Sequence, residues 1–242
     1  MTAPMRLDRL LANMGYGSRK EVQDLVRQGE VVLDDAPLKK ADMKIAVTPD
    51  LSQRMRVEGR LLDPPPGMAL ILHKPVGVTC SHKEAGSLVY DLLPRRWRRR
   101  EPAISTVGRL DKDTSGLILM TDDGDLLHRI ISPKNHVPKR YLATLARPLA
   151  GDEAAQFASG ELMLEGEDKP LAPAVLEPLS ATTAWLTVTE GRYHQVRRMF
   201  AAVGNHVEAL HRDRIGALDL PADLEPGARR LMTQADVAAV FG

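Results

Sequence analysis

A single cysteine, Cys80, stands in 242 residues. One thiol closes no disulfide within the chain and makes no cysteine zinc site, which excludes disulfide scaffolds and zinc ribbons. A reducing compartment is its natural home. Long apolar runs are also missing. No window approaches the ~20 apolar residues of a bilayer-spanning helix, and Met1 to Gly15 carries Arg6, Asp8 and Arg9 where a signal peptide would have its apolar core. The expectation is a cytoplasmic protein with no membrane association. Net charge is almost absent too, at +1, so overall charge says little about partners. Finally, His128, His136, His194, His206 and His211 match no familiar zinc spacing, so no metal is expected.

What is present is an ordinary globular composition, 43% apolar and 27% charged, in a length that suits a small module plus a larger domain. Charge is unevenly spread: +2 over residues 1–60, +5 over 61–150 and −6 over 151–242. Either a polyanion docks on the first part of the chain or the asymmetry is chance on a solvated surface.

Leu7, Leu10, Leu11 and Met14 follow the spacing of one apolar helix face. Gly15 and Gly17 stop that helix, and Ser18-Arg19-Lys20-Glu21 reads as a capping box for a second. Val22, Leu25 and Val26 form the buried face of the second helix, and Gly29 sits where a left-handed C-cap belongs. Val31 to Leu33 is a short strand, and Asp34-Asp35 begins a turn. Arg19, Lys20 and Arg27 lie outside the apolar stripe, either as phosphate contacts or as solubilising charges. Glu58 to Gly67 holds three consecutive prolines and two glycines, expected as a semi-rigid linker.

Beyond it, Ala69 to Leu72 is an apolar run suited to a buried strand, ended by His73-Lys74-Pro75. Arg95 to Arg100 packs five arginines around Trp97, an arrangement that suits RNA contact or an exposed basic loop. Gly108 to Gly124, GRLDKDTSGLILMTDDG, crowds Arg109, Asp111, Lys112, Asp113, Thr114 and Ser115 before a buried strand at Leu117 to Met120. Such a loop is a plausible site, and equally a structural turn. Asp122-Asp123 reads as turn and cap. Ala184 to Thr189 alternates as a strand, and Val196, Met199, Phe200 and Val203 recur at helical spacing. Arg192, His194, Gln195, Arg197 and Arg198 gather between the two, to pair with a carboxylate, with phosphate, or with nothing. Tyr141, in KRYLATL, shares a strand face with Ala143 and Leu145, where a tyrosine is more often core than site.

Two resemblances follow. The stretch RLDRLLANMGYGSRKEVQDLVRQGEVVLDD resembles an S4 RNA-binding domain, with Asp35-Ala36 standing where such domains usually carry Asn-Gly in a hairpin turn. The motifs GRLDKDTSGLILMTDDG, KRYLATL and EGRYHQVRRMFAAVGNHVEALHRDRIGAL, with LHKPVGV before them, resemble the RsuA-type bacterial pseudouridine synthases across nearly the whole chain. The resemblance implies an α+β protein: an S4-like domain over residues 1–60, a Pro-rich linker over 61–67, and a catalytic domain over 68–242 built on a mixed, mostly antiparallel sheet.

It also implies roles. Asp111 would be the essential carboxylate, Arg197 its ion-pair partner and Tyr141 the aromatic under the base. Arg109 would enter the RNA as the uridine flips out, Leu210 would pack beneath the base, and His194, with Arg19, Lys20 and Arg27, would contact RNA. The uridine would leave the stack to expose C1′ and C5. Burial would raise the Asp111 pKa and the guanidinium would oppose that. No cofactor is needed for an isomerisation. RYHQVRRMF points to 16S ribosomal RNA, at position 516, free or in an assembling particle, and to a monomeric enzyme. The alternatives are 23S ribosomal or transfer RNA as substrate, or an assembly factor that binds RNA without modifying it.

Overall fold

The apolar spacing near the N-terminus becomes the core of a small module. In the computed structural model, which describes residues 4–81 and 84–242, Leu7, Leu10, Leu11 and Met14 are wholly buried. The first three residues of the expected module lie outside the described residues. Strand β1 (Met5–Arg6) leads into helix α1 (Leu7–Asn13), and α2 (Arg19–Arg27) begins at the expected capping box: the Ser18 side chain accepts from the Glu21 backbone and the Glu21 side chain from Ser18. Val22 and Val26 bury one face of α2 against α1, each buried side chain contributing about 1.5–3 kcal/mol of transfer free energy. Strands β2 (Val31–Leu33) and β3 (Ala36–Pro37) form a hairpin whose tip is Asp34-Asp35, both at positive φ (49° and 62°). The tight-turn position is thus one residue earlier than the Asp35-Ala36 expected by resemblance. Aspartate tolerates the left-handed region better than most residues. Strand β4 (Lys44–Ile45) pairs with β1, helix α3 (Leu51–Arg54) follows, and β5 (Met55–Val57) joins β2 and then β6 (Arg60–Leu61).

Two compact units result, and their boundary is not a single point in sequence. The N-terminal residues through Ala69 are joined in one unit by Tyr90–Ser105 and Met120–Gly124. The Pro-rich segment is packed: Asp63 N–H donates to the Tyr16 hydroxyl (2.9 Å), and Gly67 N–H to Asp122 Oδ1 (2.8 Å). The arginine-rich stretch serves this unit too. Arg100 pairs with Asp122 at 2.7 Å, both side chains 1% exposed, and also donates to the Pro64 carbonyl. Arg96 donates to Asp63 (3.0 Å) and lies over the Tyr16 ring, and Arg98 donates to Asp91 (2.9 Å). Three of the five arginines, expected either at RNA or in an exposed basic loop, are held by carboxylates within the protein.

The second unit is built on a sheet of nine strands. Its main path runs β11 (Val175–Pro178), β12 (Thr183–Val188), β10 (Lys139–Leu145), β13 (Val207–Ile215), β9 (Thr114–Thr121), β7 (Ala69–Lys74), β15 (Arg229–Leu231), with β8 (Ser105–Thr106) on β9 and β14 (Leu218–Asp219) on β13. The β13–β9 pair is parallel, while β10 is antiparallel to β12 and β13, and β15 to β7. Helices α5 (Glu153–Ala158) and α6 (Gln195–Ala202) share one core with these strands, where Phe157 and Phe200 meet edge to face at 5.3 Å. Helices α4 (Gly124–Ile131) and α7 (Gln234–Phe241) complete the fold. No helix among the described residues is long and apolar enough to cross a membrane.

Candidate active site

The loop between β8 and β9 owes its position to two close approaches. At Gly116, φ is +113° and an added Cβ would lie 2.1 Å from the Arg212 carbonyl oxygen, so only glycine lets β9 draw against β13 here. Beneath the loop, Lys74 is fully buried. Its ammonium donates to the carbonyls of Thr114 (2.7 Å), Pro75 (3.0 Å) and Lys112 (3.4 Å). Burial pushes its pKa down, opposed by the charges of Cys80, Asp113 and Asp111. The loop backbone is thereby pinned from below, and Gly77 N–H donates to the Lys112 carbonyl as well.

This loop lines a cavity of about 840 Å³. The same cavity takes Tyr141 and Lys139 from β10, Leu210 and Arg212 from β13, and His194 and Arg197 from the start of α6. The sequence candidates Asp111, Tyr141, Arg197, Arg109, His194 and Leu210 are therefore brought together. Arg19, Lys20 and Arg27 belong to the other unit. There Arg19 is spent partly on the fully buried Asp8 (2.9 Å), which Arg6 and Gln23 also meet, and Arg27 pairs with Asp24. The Arg6 and Arg19 guanidinium groups hold the Asp8 carboxyl far below the usual carboxylate range.

One expected pairing is corrected. Arg197 does not meet Asp111. Its Nη1 donates to the Val207 carbonyl (2.7 Å), and its Nη2 lies 2.8 Å from Asp113 Oδ2, an ion contact out of hydrogen-bond alignment. The group beside Asp111 is His194, with Nε2 3.3 Å from Oδ1. The Val207 contact fixes the guanidinium toward the second of the loop's two aspartates. His194 itself sits at positive φ (48°) before α6, its ring stacked on Tyr193 at 3.9 Å. Asp111 keeps 31% of its side-chain exposure, so it is less dry than expected.

The carboxylates of the cavity differ in what they meet. Glu84 lies 3.5 Å from Arg109, Asp113 meets Arg197, and Glu190 accepts from Arg192, Gln195 and the Ala172 backbone. Among the described residues, Asp111 alone of these four has no arginine within ion-pair distance. Arg192 and Arg198 are likewise occupied, gripping Glu167 and the backbone carbonyls of residues 165–170. Tyr141 receives a hydrogen bond on its hydroxyl from Arg212 Nη1 (3.1 Å), and Leu210 is 5% exposed. Lys74, Lys139 and Arg212 were not singled out in the sequence. Strand alternation could have found the last two, each two residues from a candidate. Among the described residues no group of three or more His, Cys, Asp or Glu could hold a metal ion.

An aspartate on a glycine-bounded loop, a tyrosine and leucine floor and a cationic rim suit a nucleotide taken out of a stack. Residues 69–202 match the model of the RNA pseudouridylate synthase family, and residues 5–48 that of the S4 domain. The chain belongs to the RNA pseudouridylate synthase family and is an isomerase of RNA uridine. It is 42% identical over 240 residues to the "Ribosomal small subunit pseudouridine synthase A" of Escherichia coli K12, covering 98% of this chain and 100% of the relative. It is 40% identical to the protein of the same name from Vibrio cholerae, over 98% and 100%. Among solved structures, one described as "Crystal structure of pseudouridylate synthase" aligns with a TM-score of 0.68 and 37% identity over 98% of this chain and 99% of that one.

Proposed function

We propose that this enzyme converts one uridine of 16S ribosomal RNA, at position 516, to pseudouridine, with Asp111 as the carboxylate that acts on the flipped nucleotide. The observation that carries the reading is the contrast among the cavity's carboxylates. Three are tied to arginines, while Asp111, within the same 840 Å³ space as Tyr141 and Leu210, is left to an imidazole. A carboxylate not neutralised by a guanidinium is free to attack carbon or take a proton. The reaction breaks C1′–N1, forms C1′–C5, and moves one proton from C5 to N1, so it needs no oxidant and no cofactor. Tyr141 supplies a face for the base, Leu210 closes the floor, and Arg109, exposed at the rim, takes the place vacated in the RNA stack. The S4 domain anchors the RNA through phosphate contacts. The small-subunit assignment is supported by near full-length relatives that carry that name. Ribosomal RNA of a bacterium would be met in the cytoplasm, free or in an assembling particle.

The test is conversion of unmodified 16S transcript, read by carbodiimide labelling and primer extension, with 23S transcript beside it. One modified site at position 516 is expected in the 16S RNA alone. Modification confined to 23S RNA would overturn the substrate, and none in either RNA or in partly assembled particles would favour a binding factor.

A further inference from the structure

Among the described residues, two cavity cations that are buried or half-buried are matched to no carboxylate, Arg212 and Lys139. Arg212 is 3% exposed. Its Nε donates to the Leu117 carbonyl (2.9 Å) and its Nη1 to the Tyr141 hydroxyl (3.1 Å), but its buried Nη2 has no hydrogen-bond partner among the described residues. A buried donor without an acceptor is a defect unless something else supplies the acceptor. The Lys139 side chain, half-buried on the same cavity, makes no hydrogen bond or ion pair among the described residues.

Their placement says what could supply it. Lys139 and Tyr141 line the cavity from β10, two residues apart, which is about 6.5–7 Å along a strand and within reach of a lysine side chain. Arg212 stands opposite Tyr141 in the β10–β13 register, its guanidinium 5.7 Å from the ring centroid. A uracil on the Tyr141 face would present its exocyclic carbonyl oxygens to both groups.

We propose that Lys139 and Arg212 hold the carbonyl oxygens of the target uracil and take up the negative charge that develops there as the C1′–N1 bond breaks. The pair rests on the reading that the Asp111 site isomerises uridine. When that bond breaks, its electron pair leaves with the base and spreads from N1 onto O2 and O4. C5 then bonds to C1′, the C5 proton is lost and N1 is protonated, so atoms and charge balance. Fixed cationic donors at O2 and O4 stabilise the charged stage more than the neutral substrate, which lowers the barrier. They also discriminate. O4 of uracil accepts, whereas the amino group of cytosine at the same place only donates and would face the donor held there.

The lysine gives the pair a readable titration. Burial, and secondarily the charge of Arg212, bring its pKa down to about 8. The other charged groups lining the cavity are Glu84, then Arg109, Asp111, Lys112 and Asp113 on the loop, Glu190, Arg192 and His194 on the β12–α6 connection, and Arg197 on α6. The ammonium is the working form, so kcat/KM of the wild type should fall as pH rises through about 8.

The test uses the full chain on 16S transcript, with Lys139→Gln, Lys139→Arg and Asp111→Ala side by side. K139Q should lose about 10²-fold in kcat while its Kd for RNA stays within about twofold. K139R should keep turnover within about tenfold and carry the alkaline limb to higher pH, because arginine stays charged. Wild-type kcat in K139Q would overturn the pair. So would a loss that appears only in Kd with a weaker salt dependence, which marks a phosphate contact. If K139Q melts early, the K139R profile decides, and an unmoved limb overturns the pair. An active D111A would instead overturn the reading of the site, and the pair with it.

Discussion

His194 Nε2 lies 3.3 Å from Asp111 Oδ1, and the histidine that brings it there stands at a φ of 48°. A non-glycine residue held in the left-handed region costs about 1–3 kcal/mol unless its surroundings fix it. Here the stacked Tyr193 ring on one side and the start of α6 on the other fix the imidazole over the carboxylate.

Replacing that imidazole should therefore affect chemistry more than folding. His194→Asn, which tolerates the same backbone, should keep the wild-type Tm within about 2 °C and lower single-turnover conversion by about tenfold. Conversion at the wild-type rate would mean that His194 does not orient Asp111.

The N-terminal module offers two cations with different duties. Arg19 is tied to buried Asp8, whereas the exposed Lys20 side chain has no ion-pair partner among the described residues. Lys20→Gln should weaken RNA binding in filter assays and reduce the slope of log K against log salt by about one. Arg19→Gln should act mainly on stability, at about 1 kcal/mol for a partly exposed pair. Asp8 titrates far below its unfolded value, so its stabilisation is present above about pH 4 and lost as pH falls through the depressed folded pKa. The reverse result, with R19Q lowering affinity and K20Q silent, would exchange the two roles.

Arg100 and Asp122 are each 1% exposed and bonded at 2.7 Å. Asp122→Ala leaves a buried guanidinium uncompensated, and should cost about 3–5 kcal/mol in urea unfolding. An apolar replacement of both residues should recover much of that loss. A small effect of D122A would mean that Arg100 finds water or another carboxylate.

Gly116→Ala sets a methyl group 2.1 Å from the Arg212 carbonyl oxygen at a φ of +113°. The expected cost is about 3 kcal/mol, seen as a lower Tm together with lost turnover, since β9 carries the Asp111 loop. A variant with wild-type Tm and activity would show that β9 and β13 can separate without consequence.

Local pattern carried much of the fold. The helix at Leu7, the Ser18–Glu21 capping box and the buried strand at Leu117 were legible because each depends on residues within a few positions. Long-range pairing was not. The arginines of RRWRRR found Asp63 and Asp122 at separations of 33 and 22 residues, which no spacing rule reaches. Arg197 chose Asp113 over Asp111, two residues apart in one loop, on the strength of a Val207 carbonyl that the sequence does not reveal. Tyr141 and Leu210 drew their site roles from resemblance, while their cavity neighbours Lys139 and Arg212 were not singled out.

Asp111 remains the hinge of the account. The most direct measurement is pseudouridine formation on 16S transcript by Asp111→Asn, beside its Tm and its Kd for the same RNA. The Asp111→Asn protein should fold, bind RNA as the wild type does and form no pseudouridine. Turnover above a few per cent of wild type would contradict this and move the chemistry to another group in the cavity.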